Sequence, residues 1–123
     1  FKRINDTFGH QAGDEVLSAL ARDLNAVVRP YDRVGRYGGE EFLLVLPHCD
    51  QPGLEVLCER LRVSIASLQV RYSWHVIEFT VSMGATIVQP VKEIESYAAL
   101  RVADVALYRA KAEGRNRVEF GSI

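Results

Sequence analysis

Residues 36–47 read RYGGEEFLLVLP, and the parsing of the whole chain turns on them. Two glycines stand directly against two glutamates, and an apolar run follows without a break. Gly38-Gly39 can supply φ > 0 and hence a tight hairpin between two short strands, expected at 33–37 and 42–47. Glycine also lets a phosphate or a base approach the main chain without meeting a Cβ. Neighbouring side chains in an extended or turn segment point apart, so Glu40 and Glu41 have different tasks. One of them can ligate a hard cation such as Mg²⁺, which favours carboxylate oxygen. Taken alone, the stretch reads better as an ordinary turn with solvated acids.

Upstream, FKRINDTFGHQAGDEVLSALARDLNAVVRP (1–30) reads as a loop that becomes a helix. Asn5-Asp6, Gly9 and Gly13 are turn residues, and Asp14-Glu15 suit a helix N-terminus. Val16, Leu17, Leu20, Leu24, Val27 and Val28 then recur at helical spacing until Pro30. Downstream, Leu54, Leu57, Leu61, Ile65 and Leu68 mark a second helix entered through Pro52-Gly53. VRYSW (70–74) and VIEFTVSMGATIV (76–88) predict a strand pair, the second strand passing through Gly84. A third helix is expected at about 96–112, stopped by Gly114, with RVEF (117–120) as a closing strand. Helices alternating with strand pairs predict an α+β fold, an α/β sandwich with helices over a sheet.

The composition fits one soluble globular domain over residues 1–123, with 48% hydrophobic and 25% charged residues. A formal net charge of -1 gives no whole-chain field toward nucleic acid or a membrane surface, and neither is expected as a partner. No apolar run reaches the length of a spanning helix. Cys49 and Cys58 form no CxxC and have no His pair at metal spacing, so two reduced thiols are expected.

Two further groups of residues bear on chemistry. Lys2, Asn5, Asp6, His10 and Asp14 share the opening segment. An Asn amide oxygen accepts from a guanine N–H, and a carboxylate accepts from N1–H and N2–H together. Lys2 can meet a phosphate. The plain alternative is an Asx-turn at Asn5 and a cap at Asp14. Near the other end, Lys111 and Arg115 lie four apart close to a helix C-terminus. They complement the helix dipole there, or project from one face as phosphate ligands.

FKRINDTFGHQAGDEVL, RYGGEEF, TVSMGAT and ADVALYRAKAEGRNRV occur in this order along nearly the whole chain. Together they resemble the GGDEF domain of diguanylate cyclases, in its GGEEF spelling. The resemblance implies a sheet like that of nucleotide cyclases and polymerase palms. It implies condensation of two GTP into cyclic di-GMP with release of two pyrophosphates, across a homodimer holding one GTP per protomer. By resemblance Asn5 and Asp14 bind the guanine, and Gly38 and Gly39 cover the phosphates with backbone. Glu40 ligates Mg²⁺ or Mn²⁺ and helps deprotonate the attacking 3′-hydroxyl, with Glu41 as the second acid. Lys2, Lys111 and Arg115 hold the triphosphate, and Phe1 lies near the phosphates through its backbone.

Arg29-Pro30-Tyr31-Asp32 is an RxxD sequence with five residues between it and Gly38. At that spacing it resembles the family's inhibitory product site, with Arg60 of the second helix in the place of a supporting arginine. The resemblance also implies a central strand before the FK, carrying an Asp that is another metal ligand. The expectation is that the chain as given lacks this strand and is not by itself a competent catalyst. A sensory or receiver domain upstream and a cytoplasmic setting are implied as well. A different class of reading is a non-catalytic receptor that binds cyclic di-GMP or GTP. A third is a generic α+β interaction domain whose charged turns are all structural.

Overall fold

A computed structural model describes residues 1–89 and 96–123. The elements in chain order are α1 (Lys2–Phe8), α2 (His10–Val27), β1 (Arg33–Arg36), β2 (Phe42–Val45), α3 (Gln51–Ala66), β3 (Val70–Tyr72), β4 (His75–Ile77), β5 (Ser82–Thr86), α4 (Ser96–Ala112) and β6 (Arg117–Gly121). This is the α+β mixture that the alternating patterns predict. The chain divides into two compact units, one of Phe1–His48 with Ser67–Phe79, the other of Cys49–Ala66 with Thr80–Ile123.

In the first unit, α2 buries Ala12, Val16 and Ala19 against Val70 and Ile77 of the β3–β4 hairpin. The i, i+4, i+7 spacing puts these three on one helical stripe. Ile4, Phe8, Tyr72 and Phe79 pack around them. Val16 is 2% exposed, and burying a side chain of this size stabilises by about 1.5–3 kcal/mol. Tyr72 Oη donates to Gln11 Oε1 at 2.9 Å, and the Phe8 and His75 rings meet edge to face. β1 and β2 pair antiparallel with Arg36 opposite Phe42 as the last rung.

The opening segment is helical, where a loop was expected. α1 occupies Lys2–Phe8, and α2 starts at His10, four residues before Asp14. Gly9, at φ 95°, is the one break between them. The Asn5 amide donates to the Phe1 carbonyl at 3.1 Å, and the Gly9 amide donates to the Asn5 carbonyl at 2.9 Å, which are helical bonds rather than an Asx-turn. Gly13 lies buried inside α2, and a Cβ there would overlap Asn5 Oδ1. Its glycine serves close packing, not chain reversal, and Asp14 sits too far into the helix to cap it.

α2 leads into β1 through Arg29–Asp32. The Asp32 carboxylate, fully shielded from solvent, accepts from the Arg29 amide at 2.8 Å and from Arg29 Nη2 at 2.8 Å. Arg29 Nη2 also donates to the Pro47 carbonyl at 2.9 Å, and its guanidinium lies over the Tyr31 ring. These hydrogen bonds from Arg29 hold the Asp32 carboxyl below the usual carboxylate range, against the opposing effect of burial.

In the second unit, α3 buries Leu54, Leu57, Cys58, Leu61 and Ile65 along one face. Burial pushes the Cys58 thiol up to about 11, and both cysteines are free thiols. The expected strand at 76–88 is two strands with different partners. β4 pairs back on β3, whereas β5 pairs parallel with β6, Gly84 opposite Glu119. A parallel pair needs a long crossover, and α4 lies on that connection. α4 packs on the β5–β6 pair through Ala106 and Ala110, both fully buried. The approach is so close that a Cβ on Gly84 would overlap the Ala103 carbonyl oxygen and the Leu107 amide, and lie 2.8 Å from Leu107 Cα. α4 ends in a Schellman turn, the Arg115 amide donating to the Ala110 carbonyl at 2.9 Å. Gly114, Arg115 and Asn116 then follow one another at φ 125°, 62° and 46°. Left-handed backbone costs a residue with a side chain about 1–2 kcal/mol.

Two predictions come from this packing. Gly84→Ala forces helix backbone away from strand backbone and should destabilise the second unit by about 3 kcal/mol or more; denaturant unfolding of wild type and variant measures it, and an unchanged midpoint would contradict the packing. Asp32 has its carboxyl lowered in the folded state, so its contribution is full above the unfolded carboxylate range near about 4 and is lost as pH falls through the lowered folded value. Thermal unfolding at neutral and strongly acid pH should therefore show a smaller acid-induced loss in Asp32→Asn than in wild type.

Candidate functional site

The first unit contains a cavity of about 580 Å³ lined from two sides. Phe1, just before α1, joins Asn5 of α1 and His10, Asp14 and Leu17 of α2 on one side, and Arg36–Glu41 come from the end of β1 and its following turn. Helical spacing explains the first wall, since His10, Asp14 and Leu17 recur at i, i+4 and i+7 on α2. Asn5 reaches the same cavity from α1 because Gly13 offers no side chain in its path.

Asn5 Oδ1 is buried and has no hydrogen-bond partner among the described residues. A buried acceptor left unpaired costs on the order of 1–3 kcal/mol, and this one lies where a side chain on residue 13 would sit. Asp14 is exposed to the same space. A side-chain amide and a carboxylate lining one cavity are residue types suited to a purine edge bearing N–H groups.

The opposite wall is the turn at 37–41. The Tyr37 and Gly38 amides both donate to the Glu41 carbonyl, at 2.8 and 3.2 Å. Arg36 folds back, with Nε donating to the Gly38 carbonyl at 3.3 Å and Nη2 to the Gly39 carbonyl. Neither glycine has the positive φ expected of a tight hairpin, because the loop spans five residues and closes through these bonds instead. A Cβ on Gly38 would touch only Glu41 Cβ at 3.8 Å, and one on Gly39 would meet nothing within 4 Å. Among the described residues nothing requires glycine at 39, and the space beside it is open. Glu40 is exposed and Glu41 half-buried, and among the described residues neither carboxylate is ion-paired.

These carboxylates suit Mg²⁺, which takes one or two protein carboxylates and completes its shell with substrate phosphates and water. Among the described residues no group of three or more His, Cys, Asp or Glu could hold a metal by itself. The donor set thus fits a cation shared with a phosphate ligand, not a closed protein cage.

Asn5, Asp14, Gly38, Gly39, Glu40 and Glu41 all line this one cavity. Lys2 is exposed on the first turn of α1, outside the lining. Lys111, exposed on the last turn of α4, and Arg115, on the turn after it, belong to the second unit, as does exposed Arg60 on α3. Arg29 and Asp32 bond each other at the corner before β1. Sequence reasoning gave no role to Arg36. Its position two residues before the glycines was the available signal, because a guanidinium can return to the carbonyls of a following turn. Among the described residues no helix is long and apolar enough to cross a membrane.

The family model described as diguanylate cyclase, GGDEF domain, matches residues 1–117. The diguanylate cyclase DgcP of Pseudomonas aeruginosa is 43% identical over 119 residues, covering 97% of this chain and 17% of that protein. The crystal structure of diguanylate cyclase SiaD in complex with its activator SiaC, also from Pseudomonas aeruginosa, superposes with a TM-score of 0.93 at 38% identity, over 98% of this chain and 45% of that one. The coiled coil and GGDEF domain of DgcB from Caulobacter crescentus, in complex with c-di-GMP, gives a TM-score of 0.88 at 32% identity, over 98% of this chain and 63% of that one. The chain thus spans only a minor part, 17% to 32%, of curated relatives such as these cyclases. With the model match running over residues 1–117 of 123, the chain belongs to the GGDEF domain family of diguanylate cyclases.

Proposed function

We propose that residues 1–123 belong to one domain, the catalytic domain of a diguanylate cyclase, and that the parent protein condenses two GTP into cyclic di-GMP and two pyrophosphates. The observation that carries the reading is a single cavity lined by Asn5 and Asp14 on one side and by an open glycine turn bearing two carboxylates on the other. Asn5 Oδ1 accepts a guanine N–H, and Asp14 accepts from the Watson–Crick edge. Gly38 and Gly39 leave room for phosphate against backbone. Lys2, Lys111 and Arg115 supply cations to the triphosphate. Glu40 is the carboxylate that would hold Mg²⁺ or Mn²⁺, with Glu41 beside it as the second acid. When bound, the cation supplies neutralisation of phosphate charge in a reaction that depends mainly on positioning and electrostatics.

Each chemical step joins a 3′-oxygen of one GTP to the α-phosphorus of the other and breaks the bond to pyrophosphate. The hydroxyl proton leaves to a base, a role assigned to Glu40. Two such steps close the ring. One GTP per protomer, with two protomers facing, provides both nucleophiles, and the acting species is a homodimer. GTP as substrate sets the domain in the cytoplasm, under the control of a sensory or receiver domain elsewhere in the parent protein.

The decisive experiment incubates the full-length protein with GTP and Mg²⁺ and identifies nucleotides by mass spectrometry. Wild type should make cyclic di-GMP, and Glu40→Ala should not. Gly39→Ala should keep or slightly raise stability, by up to about 1 kcal/mol, because its Cβ meets nothing, yet lose most turnover. Binding of cyclic di-GMP without synthesis by wild type would support the receptor reading instead.

Arg29 and Asp32, with Arg60, form the inhibitory product site in this proposal. What supports it is the prearranged guanidinium, stacked on Tyr31 and 31% exposed, oriented by the buried Asp32 carboxylate. Arg29→Lys keeps a cation for Asp32 but loses the planar fork. Its initial rate should stay within about twofold of wild type while added cyclic di-GMP inhibits it far less. An identical inhibition curve would remove the assignment.

A further inference from the structure

The turn after α4 carries a cation on a residue whose backbone is left-handed, Arg115 at φ 62°, between Gly114 and Asn116 at φ 125° and 46°. Such a conformation persists only where its surroundings enforce it. Two enforcing contacts are local. The Arg115 amide donates to the Ala110 carbonyl at 2.9 Å, and Arg117 Nη1 donates to the Glu113 carbonyl at 2.6 Å. The third comes from α3, 54 positions away in sequence, where Arg62 Nη1 donates to Asn116 Oδ1 at 3.0 Å. The other two nitrogens of Arg62 are occupied by Glu59, Nε donating to Oε2 at 3.0 Å and Nη2 to Oε1 at 2.5 Å. A guanidinium held on two nitrogens by a carboxylate one turn earlier has its third nitrogen aimed in a fixed direction. The Arg62 side chain is only 24% exposed, so water competes weakly for that bond. Asn116 suits the receiving end, since asparagine tolerates left-handed backbone and offers an amide oxygen.

We propose that Arg62 is a positioning residue for the phosphates of GTP. Oriented by Glu59, it fixes Asn116 and thereby the direction in which Arg115 presents its guanidinium. This rests on the reading above that Lys111 and Arg115 hold the triphosphate. Arg62 touches no substrate and acts through Arg115. The ion pair to Glu59 alone would leave Arg62 a surface ornament of α3; the bond to Asn116 gives it a task.

The test uses initial rates of the full-length protein against GTP concentration at saturating Mg²⁺. Arg62→Gln removes the fork, and Asn116→Gly removes the acceptor while permitting the same φ. Each should raise KM for GTP about fivefold to tenfold and leave kcat within about twofold, the signature of lost uniform binding. In an Arg115→Ala background, Arg62→Gln should raise KM no further, which a merely structural role would not produce. If Arg62→Gln does not fold, Asn116→Gly reads the same contact from its exposed end. KM unchanged in Asn116→Gly while Arg115→Ala raises it overturns this proposal alone, as does an undiminished effect of Arg62→Gln in the Arg115→Ala background. KM unchanged in both Lys111→Ala and Arg115→Ala overturns the phosphate reading and this inference with it.

Discussion

Asn5 lies flat against the backbone of Gly13, in space that any side chain on residue 13 would occupy. That contact seats α1 on α2, brings the Phe1 ring alongside, and buries an amide oxygen that has no partner among the described residues. The first unit has its hydrophobic stripe of Ala12, Val16 and Ala19 only a few residues away on the same helix. One segment therefore both builds the core and carries polar groups to the site. The unsatisfied oxygen is a local destabilisation, and the adjacent apolar packing offsets it.

The second unit depends on a similar omission. β5 lets α4 come down onto it at Gly84, with small residues Ala106 and Ala110 completing the surface. The parallel β5–β6 pair runs over five paired positions and is covered by this helix contact. Arg109 donates to the Phe120 carbonyl at 2.7 Å and Thr86 Oγ1 to the Gly121 carbonyl at 2.9 Å, which tie the far end of the same layer.

Much of this was legible in the sequence. α4 appears where Gly114 stops it, α3 follows the Leu spacing but ends at Ala66, before Leu68, and the hairpin around the glycines is present, because these signals are local and repeat over several turns. The opening helices were not legible. Asn5, Asp6, Gly9 and Gly13 carry the chemistry of turns, and only the contact between Asn5 and Gly13 shows that glycine there permits packing. The continuous β-rich run from Val76 to Val88 likewise hides a change of partner, since strand propensity says nothing about which strand is met. The residues lining the cavity were legible as types, through motifs. The bond between Arg62 and Asn116 was not, because no pattern in either helix or turn relates two residues 54 apart.

The Gly84 contact also fixes something about charge. A helix resting on a strand by its backbone has one register, and sliding it by a single residue would move it about 1.5 Å and rotate it about 100°. Lys111 lies on that helix and Arg115 on the turn that ends it. The azimuth of both cations is therefore set five to nine residues before the helix ends at Ala112, by the one position in β5 that has no side chain. A change in β5 that never meets a nucleotide would redirect the positive end of α4, and the charge pattern of the second unit is written partly in its uncharged layer.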